Sequence, residues 1–150
     1  MAALAAATCL VVALGCGGGD DESTTAAGPE LTHAQVVKQG DAICSQAGAK
    51  ASRELSAAIK DLPRSQGLDK ATEERLVLTI NVPAIEGMAA DLDALNPPAA
   101  DQEELQAVVD GFKDATAKIK AEPRAAPPAG PYGKASALAG SFGFQECSKF

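Results

Sequence analysis

Apolar residues recur at helical spacing in three separate stretches, and each stretch is bounded by proline. That pattern constrains the fold of this 150-residue chain more than any other feature. The first stripe runs Val36, Ile43, Ala47, Ala51, Leu55, Ile59 and Leu62, at steps of three, four or seven, and Pro63 ends it. The second comprises Leu76, Ile80, Ala84, Met88, Leu92 and Leu95, stopped by Asn96-Pro97-Pro98. The third comprises Leu105, Val108, Val109, Phe112 and Ile119, ended by Pro123. A shorter, weaker helix is expected over Lys134 to Phe142. No β-alternating run is convincing, because the helical stripe passes through LVLTINV, the one strand-like stretch.

Local signals agree with these boundaries. Thr32 and Gln35 have the spacing of a capping box, with Leu31 and Val36 at the staple positions. Asp101 is placed to cap the third helix, and Glu103 and Glu104 suit its positive end. Lys118 and Lys120 suit its last turn. Pro83 falls inside the second helix, where the missing N–H predicts a kink or a break. Gly143 is placed for a left-handed stop, with Phe144 packing back after it. Gly40 and Gly48 either loosen the first helix or let a neighbour approach closely.

The expected architecture is therefore all-α. Three long helices and a short C-terminal fourth would form an antiparallel up-down bundle. Alanine inflates the hydrophobic fraction of 46%, so the core is built from small side chains that suit closely packed helices. The Pro-, Ala- and Gly-rich stretch 121–133 reads as a long loop of low complexity.

The first thirty residues have a different character. Ala2 to Leu14 is apolar except for Thr8 and Cys9. It has the length of a signal-peptide apolar region and falls short of the roughly 20 residues a spanning helix needs. No Lys or Arg precedes it. Ala13-Leu14-Gly15-Cys16 resembles a bacterial lipobox, the cleavage site of lipoprotein signal peptides. The resemblance implies a signal peptide over 1–15, cleavage before Cys16, and a diacylglyceryl thioether on the Cys16 sulfur, with further acylation such as palmitate at the new N-terminus. It also implies a location outside the cytoplasmic membrane, held to the outer face by lipid; two or more chains anchor stably. Residues 16–30 then form an acidic disordered tether holding Asp20, Asp21, Glu22 and Glu30, with a span of about 20 Å. The folded domain occupies 31–150.

In the exported setting that this resemblance implies, disulfides persist. Cys9 leaves with the leader and Cys16 carries lipid, so Cys44 and Cys147 are expected to pair. The alternatives are two free thiols or a metal site. The latter has no CxxC spacing and only one histidine to draw on. The pairing also suits the bundle: the fourth helix would return beside the first, and Cys44 lies about 18 Å into that helix. With GDAIC, ALNPPAA and GFQEC quoted together, residues 31–150 resemble the small secreted helical domains of lipoproteins from high-GC bacteria. That resemblance implies architecture and no chemistry.

Charge and composition narrow the function. A net charge of −7 argues against nucleic acid as a partner. Aromatic residues are 3% of the chain and tryptophan is absent. His33, the sole histidine, reads as an exposed first-turn residue, which removes Ser-His-Asp and Cys-His schemes and predicts a protein that is not an enzyme. Asp91, Asp93, Glu103, Glu104, Asp110 and Asp114 are oxygen donors of the type hard cations prefer, but they read as a solvated face without metal-loop spacing. Met88 falls on the core stripe; no cofactor is expected, since CxxCH is absent. Gly17-Gly18-Gly19 is a spacer rather than a phosphate loop.

Two functional classes fit. One is a non-enzymatic envelope module with a protein or cell-wall partner, for which Tyr132, Phe142, Phe144 and Phe150 are candidate contacts set against simple core packing. The other encloses a small apolar or cationic ligand between helices, in room left by the Pro83 kink and by Gly40, Gly48 and Gly87.

Overall fold

The computed structural model describes residues 29–63, 68–123 and 130–150. The leader, Cys16 and nearly all of the tether lie outside these residues, as do parts of the two loops expected after the first and third stripes. All regular structure among the described residues is helical: α1 (His33–Lys60), α2 (Lys70–Leu76), α3 (Val82–Asp93), α4 (Gln102–Ala121) and α5 (Gly133–Phe142). A π-helical turn over Val77–Asn81 joins α2 to α3, and a 3-10 turn over Cys147–Lys149 follows α5.

α1 starts where the capping pattern says it should. The Gln35 amide donates to the Thr32 hydroxyl at 3.3 Å, and the Thr32 amide donates to Gln35 Oε1 at 2.8 Å. Two otherwise orphaned N–H groups are thereby satisfied. Leu31 packs against the core that holds Val36, and its amide donates to the Asn96 carbonyl at 2.8 Å. The start of α1 is thus tied to the end of α3. Asp69 caps α2 through the Thr72 amide at 2.7 Å, and these hydrogen bonds hold its carboxyl below the usual range.

α4 carries the stripe as read: Leu105, Val108, Val109, Phe112 and Ile119 are all buried. The second stripe is corrected. Pro83 sits at the beginning of α3, and the turn before it widens, with the Val82 amide reaching back five residues to the Val77 carbonyl. This wide turn advances the helical phase. Val82 and Ile85 are buried in place of Ile80 and Ala84, which are half-buried, and the stripe regains register at Met88 and Leu92. The first stripe is also corrected. In α1 only Val36, Gly40 and Cys44 are buried, and Ile59 is 41% exposed. The spacing is right, but the C-terminal half of α1 extends past the shared core.

That core centres on Phe112, Phe144, Met88 and Leu92, each stabilising the fold by about 1.5–3 kcal/mol relative to exposure. α3 packs on α1 and α4, and α4 on α5. Gly143 closes α5 at φ +113°, a conformation that side-chain-bearing residues resist. Its amide and that of Phe144 both return to the Ala139 carbonyl, at 3.2 and 2.9 Å, which turns Phe144 inward. Cys147 then meets Cys44 in a disulfide, with Cα atoms 5.1 Å apart and a sequence separation of 103. Both cysteines are buried.

Candidate functional site

The candidate residues from the sequence are distributed unevenly. Cys16 lies outside the described residues. Tyr132, Phe142 and Phe144 are buried and Phe150 is half-buried. The first three pack in the core, the alternative set against partner contact in the sequence. The rings pack in two groups. Phe142 lies against Phe144 with centroids 4.7 Å apart. Phe112 meets Phe150 edge-on at 6.0 Å and Tyr132 at 6.2 Å.

His33 is exposed as expected, yet it has partners. Its Nδ1 lies 2.9 Å from Asp101 Oδ2, and its ring stands 5.2 Å from that of Phe142. Asp101 occupies the N-cap position of α4 but makes no capping hydrogen bond; its carboxylate faces His33 instead, a correction to the cap reading. Among the described residues no serine or cysteine is hydrogen-bonded to the His33 ring. The acidic residues are dispersed: Asp93 pairs with Lys113 at 2.9 Å, and Asp110 accepts from Gln106. Among the described residues, no group of three or more His, Cys, Asp or Glu side chains is arranged to hold a metal ion.

The glycines do not open an interior. A Cβ on Gly40 would lie 2.2 Å from Phe144 Cε1, so that ring already fills the place. Gly48 faces Phe150 at an ordinary distance, and nothing comes within 4 Å at Gly87. The room lies elsewhere, in a half-open cleft of about 1000 Å³ where the start of α2, the π-helical turn, the end of α4 and the start of α5 meet. Pro83 contributes indirectly, because the turn it forces supplies Val77 and Asn81 to the wall.

Val77, Ala115, Ile119, Pro131 and Tyr132 make this wall mainly apolar. Lys70, Lys118 and Lys134 oppose Glu73, Glu74 and Glu122 around it, so the bordering charges balance. Tyr132 is set by a turn in which the Gly133 amide reaches the Gly130 carbonyl at 3.4 Å; Gly130 has φ +78°, which glycine adopts without strain. Its hydroxyl is buried and has no hydrogen-bond partner among the described residues. A buried phenol ordinarily finds one, and leaving it without costs roughly 1–3 kcal/mol. Burial, aided by the negative charge of Glu86, pushes its pKa up to about 12. Near neutral pH the group is therefore a protonated, uncharged donor.

Sequence reading missed this cleft because helix ends from widely separated parts of the chain build it. The one available signal was a lone tyrosine beside a Gly-Pro turn. No protein-family model, curated protein or solved structure matches the chain.

Proposed function

We propose that the chain is an exported lipoprotein with a non-enzymatic binding or structural role in the cell envelope. Residues 1–15 act as its signal peptide, lipid on Cys16 anchors it to the outer face of the cytoplasmic membrane, and 16–30 tether the domain 31–150. The observation that carries this reading is the buried Cys44–Cys147 disulfide. Such staples persist in oxidising compartments, and the two cysteines it leaves fall in or at the border of the apolar leader. The arrangement we favour is the antiparallel up-down bundle. Its support is the order of the ion pairs: Lys113 meets Asp93, and Lys120, further along α4, meets Glu86, further back along α3. Among the described residues no helix is long and apolar enough to cross a membrane.

The test is the intact mass of the protein extracted from membranes, before and after reduction and alkylation. The expected mass is that of residues 16–150 plus acyl chains, with two thiols gained only on reduction. A mass that retains the leader, or an unmodified Cys16, overturns the lipoprotein reading.

A second reading is that the domain holds a small ligand between its helices. The mainly apolar cleft of about 1000 Å³ favours it.

A further inference from the structure

The second half of α1 has the least cover of any long helix segment. The buried residues of this helix, Val36, Gly40 and Cys44, all lie in its first half. Beyond them Ser52, Arg53, Ser56, Ile59 and Lys60 are exposed, and helical spacing puts them on one side. Glu54 falls on the other side, and Asp61, at the C-cap, borders the far edge of the shallow groove that runs between Arg53 and Lys60. Arg53 and Lys60 have no ion pair among the described residues, whereas Lys113 and Lys120 on α4 are paired with Asp93 and Glu86. An exposed isoleucine beside two unpaired cations is the pattern of a helix side that rests on anionic lipid: the apolar group enters the interface and the cations meet phosphates.

We propose that the side of α1 carrying Arg53, Ser56, Ile59 and Lys60 docks on the anionic lipid surface to which the chain is anchored, with α1 lying along the bilayer. This inference rests on the lipoprotein reading above and adds which face of the domain meets the membrane. Two arguments select lipid over a second copy of the chain. The uncovered half of α1 is about 20 Å long, too short to bury the roughly 800 Å² per partner that a stable protein interface needs. A small patch suffices where another attachment holds it close, because the contact is then intramolecular. The proposed tether 16–30 spans about 20 Å and ends at the start of α1, so lipid on Cys16 keeps this helix within reach of the bilayer.

The test uses the protein extracted from membranes and returned to vesicles of phosphatidylcholine, with or without an equal part of phosphatidylglycerol. Ser56→Cys takes a polarity-sensitive dye and leaves Ile59, Arg53 and Lys60 in place. Its thiol is the free one, because Cys44 and Cys147 are bonded and Cys16 carries lipid on the reading above. Ala107→Cys, exposed on α4 between Glu103 and Asp110, is the matched control, and circular dichroism reports that each variant folds. On vesicles with phosphatidylglycerol, the dye at 56 is expected to shift to the blue and to be quenched by a shallow nitroxide-labelled lipid, while the dye at 107 is not. Adding Arg53→Gln or Lys60→Gln to Ser56→Cys lowers the seated population about fivefold per cation, and vesicles without phosphatidylglycerol lower it similarly. Acylated protein that is held on the vesicles with the dye at 56 as wet as at 107, or with quenching unchanged by loss of both cations, overturns the proposal and leaves the lipoprotein reading standing. Protein that has no acyl chains and stays off the vesicles overturns both.

Discussion

The ring of Phe144 lies directly over Gly40, so close that a Cβ there would sit 2.2 Å from its Cε1 atom. Both residues are buried, and the disulfide lies one helical turn further along α1. Alanine is the better helix former by about 1 kcal/mol, yet at this position the phenyl must move within a filled core. Gly40→Ala is expected to lose about 1–3 kcal/mol of stability, read by urea unfolding. Gly87→Ala is the matched control. Nothing lies within 4 Å of its added Cβ, so it gains up to about 1 kcal/mol from propensity alone.

The staple makes a larger contribution. The double variant Cys44→Ala/Cys147→Ala frees a loop of 103 residues, for which chain entropy predicts a loss of about 4–5 kcal/mol. Thermal unfolding of the double variant, beside the oxidised and reduced wild type, checks this. A loss below about 1 kcal/mol contradicts it.

Tyr132 should ionise late and destabilise the fold as it does so. Its folded pKa is raised from 10.0 to about 12, so the folded state holds its proton over an interval in which the unfolded chain releases it. The stability this supplies is complete below about pH 10 and is lost as pH rises toward 12. Absorbance at the phenolate band follows one group only, because the chain has one tyrosine. Tyr132→Phe removes both the pH dependence assigned to this residue and an orphaned hydroxyl, and should be as stable as wild type or more so at neutral pH.

The two helix starts respond differently. Thr32→Ala removes a working cap and costs about 1 kcal/mol. Asp101→Ala removes no capping bond, since none is made, and acts through His33. In a double-mutant cycle with His33→Ala the coupling is expected at about 0.2–1 kcal/mol, as for an ion pair with one half-exposed partner.

Local rules were enough where one segment decides its own structure. The α4 stripe was legible because neither proline nor a second competing period interrupts Leu105 to Ile119. The capping box and the Gly143 stop were legible because each is a contact within a few residues. Phase was harder to read. Nothing in the spacing of Leu76 to Leu92 says whether Pro83 will be met by a kink or by a wide turn, and the wide turn moves burial onto Val82 and Ile85. Coverage was harder still, since Leu55 and Ile59 repeat as regularly as Val36 but no element packs over them to the same depth. The sequence left the aromatic residues near the C-terminus open between partner contact and core packing, and Tyr132, Phe142 and Phe144 are buried.

The disulfide also changes what a cut would do. Cys147 stands close to the end of the described chain and Cys44 within its first helix, so the polypeptide between them is covalently a ring. Hydrolysis of one peptide bond anywhere from residue 45 to 146 opens that ring without releasing a fragment. The pieces stay joined through sulfur. A nicked molecule of this kind has the mass of the intact one plus a water, and it comes apart only when reductant reaches a bond that the fold keeps buried.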